Sequence, residues 1–237
     1  MAETQDPPAR LARTVMRAAD RAVLATGRAG SGWPYASLVL VALDLDATPI
    51  LLVSALAEHT RNIAADDRVA LLFDGTGGLP RPLEGPRVTV TGRAAPTPNP
   101  HRRARYLARH PDAALYADFT DFAVHSVTVT GAHLVAGFGR IHRLGAADLM
   151  LDAGAVASLA AAEAGLLADA NSRFAEPLDA VLAERTGRPG GGWRLTGLDP
   201  DGCDARRDGE VARLPFETTR TDPEAVRAAL WGMLGGG

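Results

Sequence analysis

Lysine is missing from this sequence altogether: all 25 basic residues are arginine. That excludes mechanisms built on a Schiff-base lysine and nucleotide sites built on a Walker A lysine. One cysteine, Cys203, excludes an internal disulfide and a thiolate metal cluster. Neither H-E-x-x-H nor G-x-S-x-G occurs. A formal charge of −3 gives no broad cationic field, so nucleic acid is not expected as a partner, although a local arginine site suits a small anion. The start, "MAETQDPPARLART", lacks the apolar centre of a signal peptide, and no window reads as the roughly 18 apolar residues of a membrane span. The expectation is a cytoplasmic protein without a membrane partner.

What is present is ordinary globular material, 46% hydrophobic and 22% charged over 237 residues, enough for one large or two small domains. Residues 7–21 read as an amphipathic helix. Then come short apolar or alternating runs: "AVLATG", "YASLVLVALD", "PILLVS", "RVALLF" and "RVTVTGR". Turn residues separate them, the pattern of an antiparallel barrel or sandwich. "SLVLVAL" suits a buried strand. Residues 98–117 read as helical, with His101 and His110 in solvent. "AVHSVTVTG" and "AHLVAGFG" read as two strands joined tightly at residues 130–132, and their His125 and His133 as structural. Residues 154–186 suggest two helices broken near Asn171, "GRPGGG" a loop, residues 193–216 a three-strand meander, and residues 222–234 a helix capped by Asp222. The predicted fold class is β-rich α+β, with a barrel domain over 1–146 and a small α+β domain over 154–237.

Three stretches carry candidate chemistry. His59, Thr60, Arg61 and Asn62 follow a strand at an expected helix start, where exposed N–H groups favour an anion and directed donors add to it; an ordinary solvated helix start fits as well. Trp33 and Tyr35 open the longest strand, where a flat ligand or plain packing would suit them. In "GFGRIHRL", Phe138 lies between two glycines, and Arg140 and His142 share one side of an extended chain. His142 suits haem iron; a bulge and surface loop is the other reading.

The order of "PYASLV", "HTRN", "LLFDG" and "GFGRIH" resembles the pyridoxamine 5′-phosphate oxidase-like split barrels, and more closely their haem-utilisation branch, over nearly all of residues 9–146. The C-terminal part resembles the small α+β domain often appended to them. The resemblance implies an antiparallel split β-barrel, a homodimer and a tetrapyrrole or flavin ligand near the dimer interface. It implies haem first, with His142 as axial ligand, His59 as the competing ligand, and Arg140 and Arg61 pairing with propionates, in a haem-binding and haem-degrading protein. The alternative is FMN, held by Thr60, Arg61 and Asn62, with Ser54 and Tyr35 lining the site of an oxidoreductase. A third reading is a non-catalytic tetrapyrrole-binding regulator. The family's flavin clamp ends in lysine where Asn62 stands. Its substrate-holding arginine-and-histidine tail is not recognisable, so vitamin B6 oxidation is not expected. "DANSRF" keeps Asn171 but neither histidine of the appended domain's usual run, so no metal or haem role is expected there.

Overall fold

The computed structural model describes residues 7–187 and 189–235. The N-terminal sequence expectation therefore lies partly, and the terminal glycines almost wholly, outside the described residues. The chain divides into two compact units, the first ending at Met150 and the second starting at Leu151.

In the first unit, chain order runs α1 (Pro8–Ala18), β1 (Arg21–Gly27), β2 (Pro34–Leu40), β3 (Ala42–Leu43), β4 (Pro49–Ser54), α2 (Glu58–Ala65), β5 (Arg68–Asp74), β6 (Arg87–Pro96), α3 (Pro100–Arg109), β7 (Phe122–Val135), β8 (Ile141–Gly145) and α4 (Ala146–Leu149). The strands form one antiparallel sheet in the order β2-β1-β5-β6-β7-β4-β3, and β8 pairs with β7. This is a split β-barrel. Alternation sets its inside: Ala22, Leu24, Val69, Leu71, Phe73, Val88 and Val90 point inward and meet Ala12, Val15 and Met16 of α1. β4 is buried on both faces, which is why "PILLV" is a continuous apolar run. Its second face packs on Tyr106, Ala113 and Ala117, from α3 and the turns after it.

Two expectations about strands are corrected. "AVHSVTVTG" and "AHLVAGFG" are not a hairpin at Thr130–Ala132: β7 runs unbroken from Phe122 to Val135. The glycine marks a register shift in the pairing with β6, between Thr91 and Gly92. There β7 passes so close that a Cβ on Gly92 would meet the Thr128 carbonyl oxygen at 2.4 Å. β2 in turn is not buried on both faces. Val39 points inward, while Leu38 is 66% exposed on the outside.

Arginines do the work of caps and clamps. Arg109 Nη2 donates to the carbonyls of Arg17, Ala18 and Ala19, closing the C-terminal end of α1. Arg17 donates to the Asp44 and Leu45 carbonyls, and Arg105 to that of Leu43, so the β3–β4 turn is held from two helices. A planar fork serves several carbonyls at once in a way an ammonium does not. The two helix histidines are not solvated as expected. His110 is buried and its Nε2 donates to the Val41 carbonyl at 2.9 Å; His101 lies 3.4 Å from Asp44.

The second unit contains α5 (Ala153–Arg173), α6 (Ala175–Thr186), β9 (Arg194–Asp199), β10 (Gly202–Arg207), β11 (Glu210–Pro215) and α7 (Pro223–Gly235). The helix break falls at Phe174, three residues after Asn171. Asn171 is used structurally: its Nδ2 donates to the Leu195 carbonyl and its Oδ1 accepts from the Leu195 amide, pinning β9 to α5. The stretch Ala146–Arg173 is long and apolar enough to cross a membrane by length and composition, contrary to the expectation. The buried side of α5 nevertheless carries Glu163, whose Oε1 accepts from the Leu198 amide of β9, so this side serves the three-stranded sheet.

Candidate functional site

The predicted site residues separate into two groups, which the long strand β7 holds apart. His125, near one end of β7, lies by His59; Leu134, near the other, pairs with His142. The nine residue steps from one to the other span about 30 Å of extended chain. The two candidate ligands for haem iron, His142 and His59, thus lie toward opposite ends of β7.

At the first end, β4 stops at Ser54 and the chain turns into α2. Ser54 Oγ donates to Asp121 Oδ2 at 2.5 Å and accepts from the Leu56 amide, so it fixes the turn. Asn62 is fully buried. Its Nδ2 donates to Thr26 Oγ1 and its Oδ1 accepts from the Ala29 amide, both at 3.0 Å. Both ends of the amide are engaged by the β1–β2 hairpin, and full burial keeps the side chain from an external phosphate. Arg61 Nη1 donates to the Leu56 carbonyl and its Nη2 to Glu58 Oε2 at 2.8 Å. Thr60 Oγ1 is shielded from solvent and has no hydrogen-bond partner. The expected clamp of Thr60, Arg61 and Asn62 is therefore not assembled as three free donors: one is structural and one is already paired.

Two residues not singled out as site residues stand beside His59. Ser37 Oγ lies 3.2 Å from His59 Nδ1. His125 is buried, and its Nδ1–H donates to the Ala123 carbonyl, so its Nε2 keeps the lone pair. Burial, and then the neighbouring His125, hold the His59 imidazole below its ordinary range; burial does the same for His125. Both rings are neutral at pH 7. Sequence offered a weak signal for Ser37, inside the "PYASLV" motif, and none for His125. Tyr35 lies with its ring 6.0 Å from the Arg28 guanidinium carbon, an ordinary cation–π spacing.

At the second end, Gly137, Phe138 and Gly139 make the turn from β7 into β8. Gly137 and Gly139 have φ of +138° and +74°, which is why glycines stand there. Phe138 is 92% exposed. Arg140 Nη2 donates to the Ala136 carbonyl at 2.7 Å, which fixes the direction of its guanidinium. Arg140 and His142 both line a groove of about 600 Å³ whose walls include the apolar Pro8, Leu11, Leu79 and Pro86 and the carboxylate-bearing Glu84. Among the described residues, no three His, Cys, Asp or Glu side chains are grouped to hold a bare metal ion. An imidazole and a guanidinium opening into one apolar groove do fit haem, which needs one axial nitrogen, a charge for its propionates and apolar walls.

The profile of the family described as pyridoxamine 5′-phosphate oxidase matches residues 10–136. The chain belongs to the pyridoxamine 5′-phosphate oxidase family. This family member is similar along almost its whole length to a solved protein of unknown function from Agrobacterium tumefaciens, with 29% identity, a TM-score of 0.79, and 96% and 95% of the two chains covered. It is likewise similar to a structure described as the heme binding protein of Mycobacterium smegmatis, with 29% identity, a TM-score of 0.59 and 98% of each chain covered. Among curated proteins, it is 33% identical over 129 residues to the chloroplastic non-canonical heme oxygenase HOZ of Arabidopsis thaliana. That match takes in 53% of this chain and 39% of the plant protein's length.

Proposed function

We propose that this member of the pyridoxamine 5′-phosphate oxidase family is a haem-binding protein, with haem in the groove beside β8. The observation that carries the reading is that His142 and Arg140 line one apolar groove. The heme-binding protein of Mycobacterium smegmatis and the heme oxygenase of Arabidopsis thaliana support the ligand class. When bound, haem supplies the redox-active iron. The chain would supply the imidazole of His142 to the iron, the guanidinium of Arg140 to a propionate, and proline and leucine walls that keep water from the ring. The flavin reading retains the support of the family match and would place FMN at the other end of β7, by His59.

Haemin added to wild type should give a shifted Soret band that His142→Ala loses and His59→Ala keeps. Arg140→Ala should weaken binding by roughly 1.5–3 kcal/mol, the scale of a charge-assisted hydrogen bond. Loss of the band in His59→Ala alone would move haem to the other end of β7, and an unchanged band in every variant would end the proposal.

We further propose that two copies of the chain pair through the outer face of the sheet. Val23 sits opposite both Leu38 and Leu72, and all three are exposed there together with Leu40. The groove beside this strip is bordered by Asp20, Arg21 and Asp74, charges of both signs, so the same patch on a second copy meets it without a like-charged face. Light scattering at micromolar concentration should give a dimer, and Leu38→Glu a monomer. A monomeric wild type rules the pairing out.

A further inference from the structure

The end of the barrel at α2 contains an ion cluster that the haem reading does not use. Glu58, in the first turn of α2, points one carboxylate oxygen at each of two guanidiniums. Its Oε2 is 2.8 Å from Arg61 Nη2, and its Oε1 is 3.6 Å from Arg28 Nε. The two arginines come from different elements, Arg28 from the β1–β2 turn and Arg61 from α2. The Arg61 guanidinium is also held by the Leu56 carbonyl, and the turn that carries Arg28 is held by Asn62 through the Ala29 amide. Arg28 also lies near the Tyr35 ring. Two guanidiniums beside an aromatic ring are the elements of a site for a flat, phosphate-bearing ligand. The space between them is filled by a carboxylate of the chain itself. Hydrogen bonding from Arg61, with lesser help from the charge of Arg28, keeps Glu58 ionised.

We propose that Glu58 determines ligand choice at this end of the barrel: its carboxylate takes the place of an external phosphate between Arg28 and Arg61 and so closes the end to FMN. A phosphate approaching these arginines meets a negative charge already on them. It must either displace Glu58 or accept repulsion at a separation of a few ångströms. Removing the charge while keeping the shape opens the pair. The inference concerns the opposite end of β7 from the haem groove and stands or falls separately from it.

The experiment compares wild type, Glu58→Gln and Glu58→Gln/Arg61→Gln. Each is titrated with FMN, and with riboflavin, which has the same ring and no phosphate, with binding read from flavin fluorescence. Glu58 is on the surface, and circular dichroism with a melting curve verifies that each variant folds. The expected result is FMN affinity at least about tenfold tighter in Glu58→Gln than in wild type, riboflavin unchanged, and the gain lost in the double variant. Equal FMN affinity in wild type and Glu58→Gln, at any strength, overturns the proposal. So does a gain shared equally by riboflavin, since a phosphate-specific barrier cannot produce it. The haemin titration of wild type scores the haem reading, and no flavin result bears on it.

Discussion

Arg213→Ala should destabilise the second unit by about 3–5 kcal/mol, the cost of removing one partner from a buried ion cluster. Arg213 reaches from β11 to Asp199 of β9, with Nη1 to Oδ2 at 2.6 Å and Nη2 to Oδ1 at 2.8 Å. Its Nη1 also donates to Asp204 Oδ1 of β10 at 3.0 Å. The side chains of Arg213 and Asp199 are 8% and 1% exposed. Burial works against the cation, but the two carboxylates outweigh it and raise the guanidinium pKa still further. Without the arginine, two carboxylates face each other in a dry interior. Beside them, burial pushes the Cys203 thiol up to about 12, so this cysteine is inert at neutral pH. Chemical denaturation followed by Trp193 and Trp231 fluorescence measures the loss. Asp199→Asn with Asp204→Asn in the Arg213→Ala background should recover part of it, because the neutral amides no longer repel. A loss under 1 kcal/mol, or no recovery, would mean that solvent reaches the cluster.

Asp44→Asn should cost about 2–4 kcal/mol at pH 7, and the cost should shrink in acid. Burial alone would raise the Asp44 pKa. Hydrogen bonds from His101 and Arg102, helped by the Leu45 amide and the charge of Arg105, overcome this and hold it far below the ordinary 3.8. The folded value lies below the unfolded one, so the group stabilises the fold fully above about pH 5. That stabilisation is lost progressively as pH falls through 3.8 toward the depressed folded value. Wild type should therefore lose stability over this acid range while Asp44→Asn lacks this component, and the two curves should converge. Urea midpoints between pH 2 and 7 test it: a gap that stays constant with pH would show that Asp44 acts by shape and not by charge.

The sequence made the barrel legible where burial and periodicity agree. β5 and β6 alternate cleanly and β4 is apolar from Pro49 to Val53 because it is covered on both sides, and all three lie where the pattern puts them. α2 begins at Glu58, within the polar cluster that marked it. Gly131 misled, since a glycine in a strand can mark either a turn or a register shift, and local sequence does not tell which. Asn62 misled differently. It has the donor chemistry of a ligand site, but its partners, Thr26 and Ala29, come from a hairpin more than thirty residues earlier. His110 looked solvated among arginines, and only the passage of β3 and the residues before it over α3 buries it against Val41. The pairing of Glu58 with Arg61 was available from their three-residue spacing, whereas the addition of Arg28 needed the fold.

The carbonyls that end α1 have a history during synthesis. Their guanidinium comes from Arg109, up to 92 residues later in the chain. At about 5–20 residues per second, α1 leaves the ribosome on the order of 5–20 s before its cap exists. Through that interval Val15 and Met16, buried in the finished barrel, have no strands β5 to β7 to pack against. The first helix to be made is thus secured only once α3 has been made, and for those seconds its apolar face is what a chaperone on the nascent chain would meet.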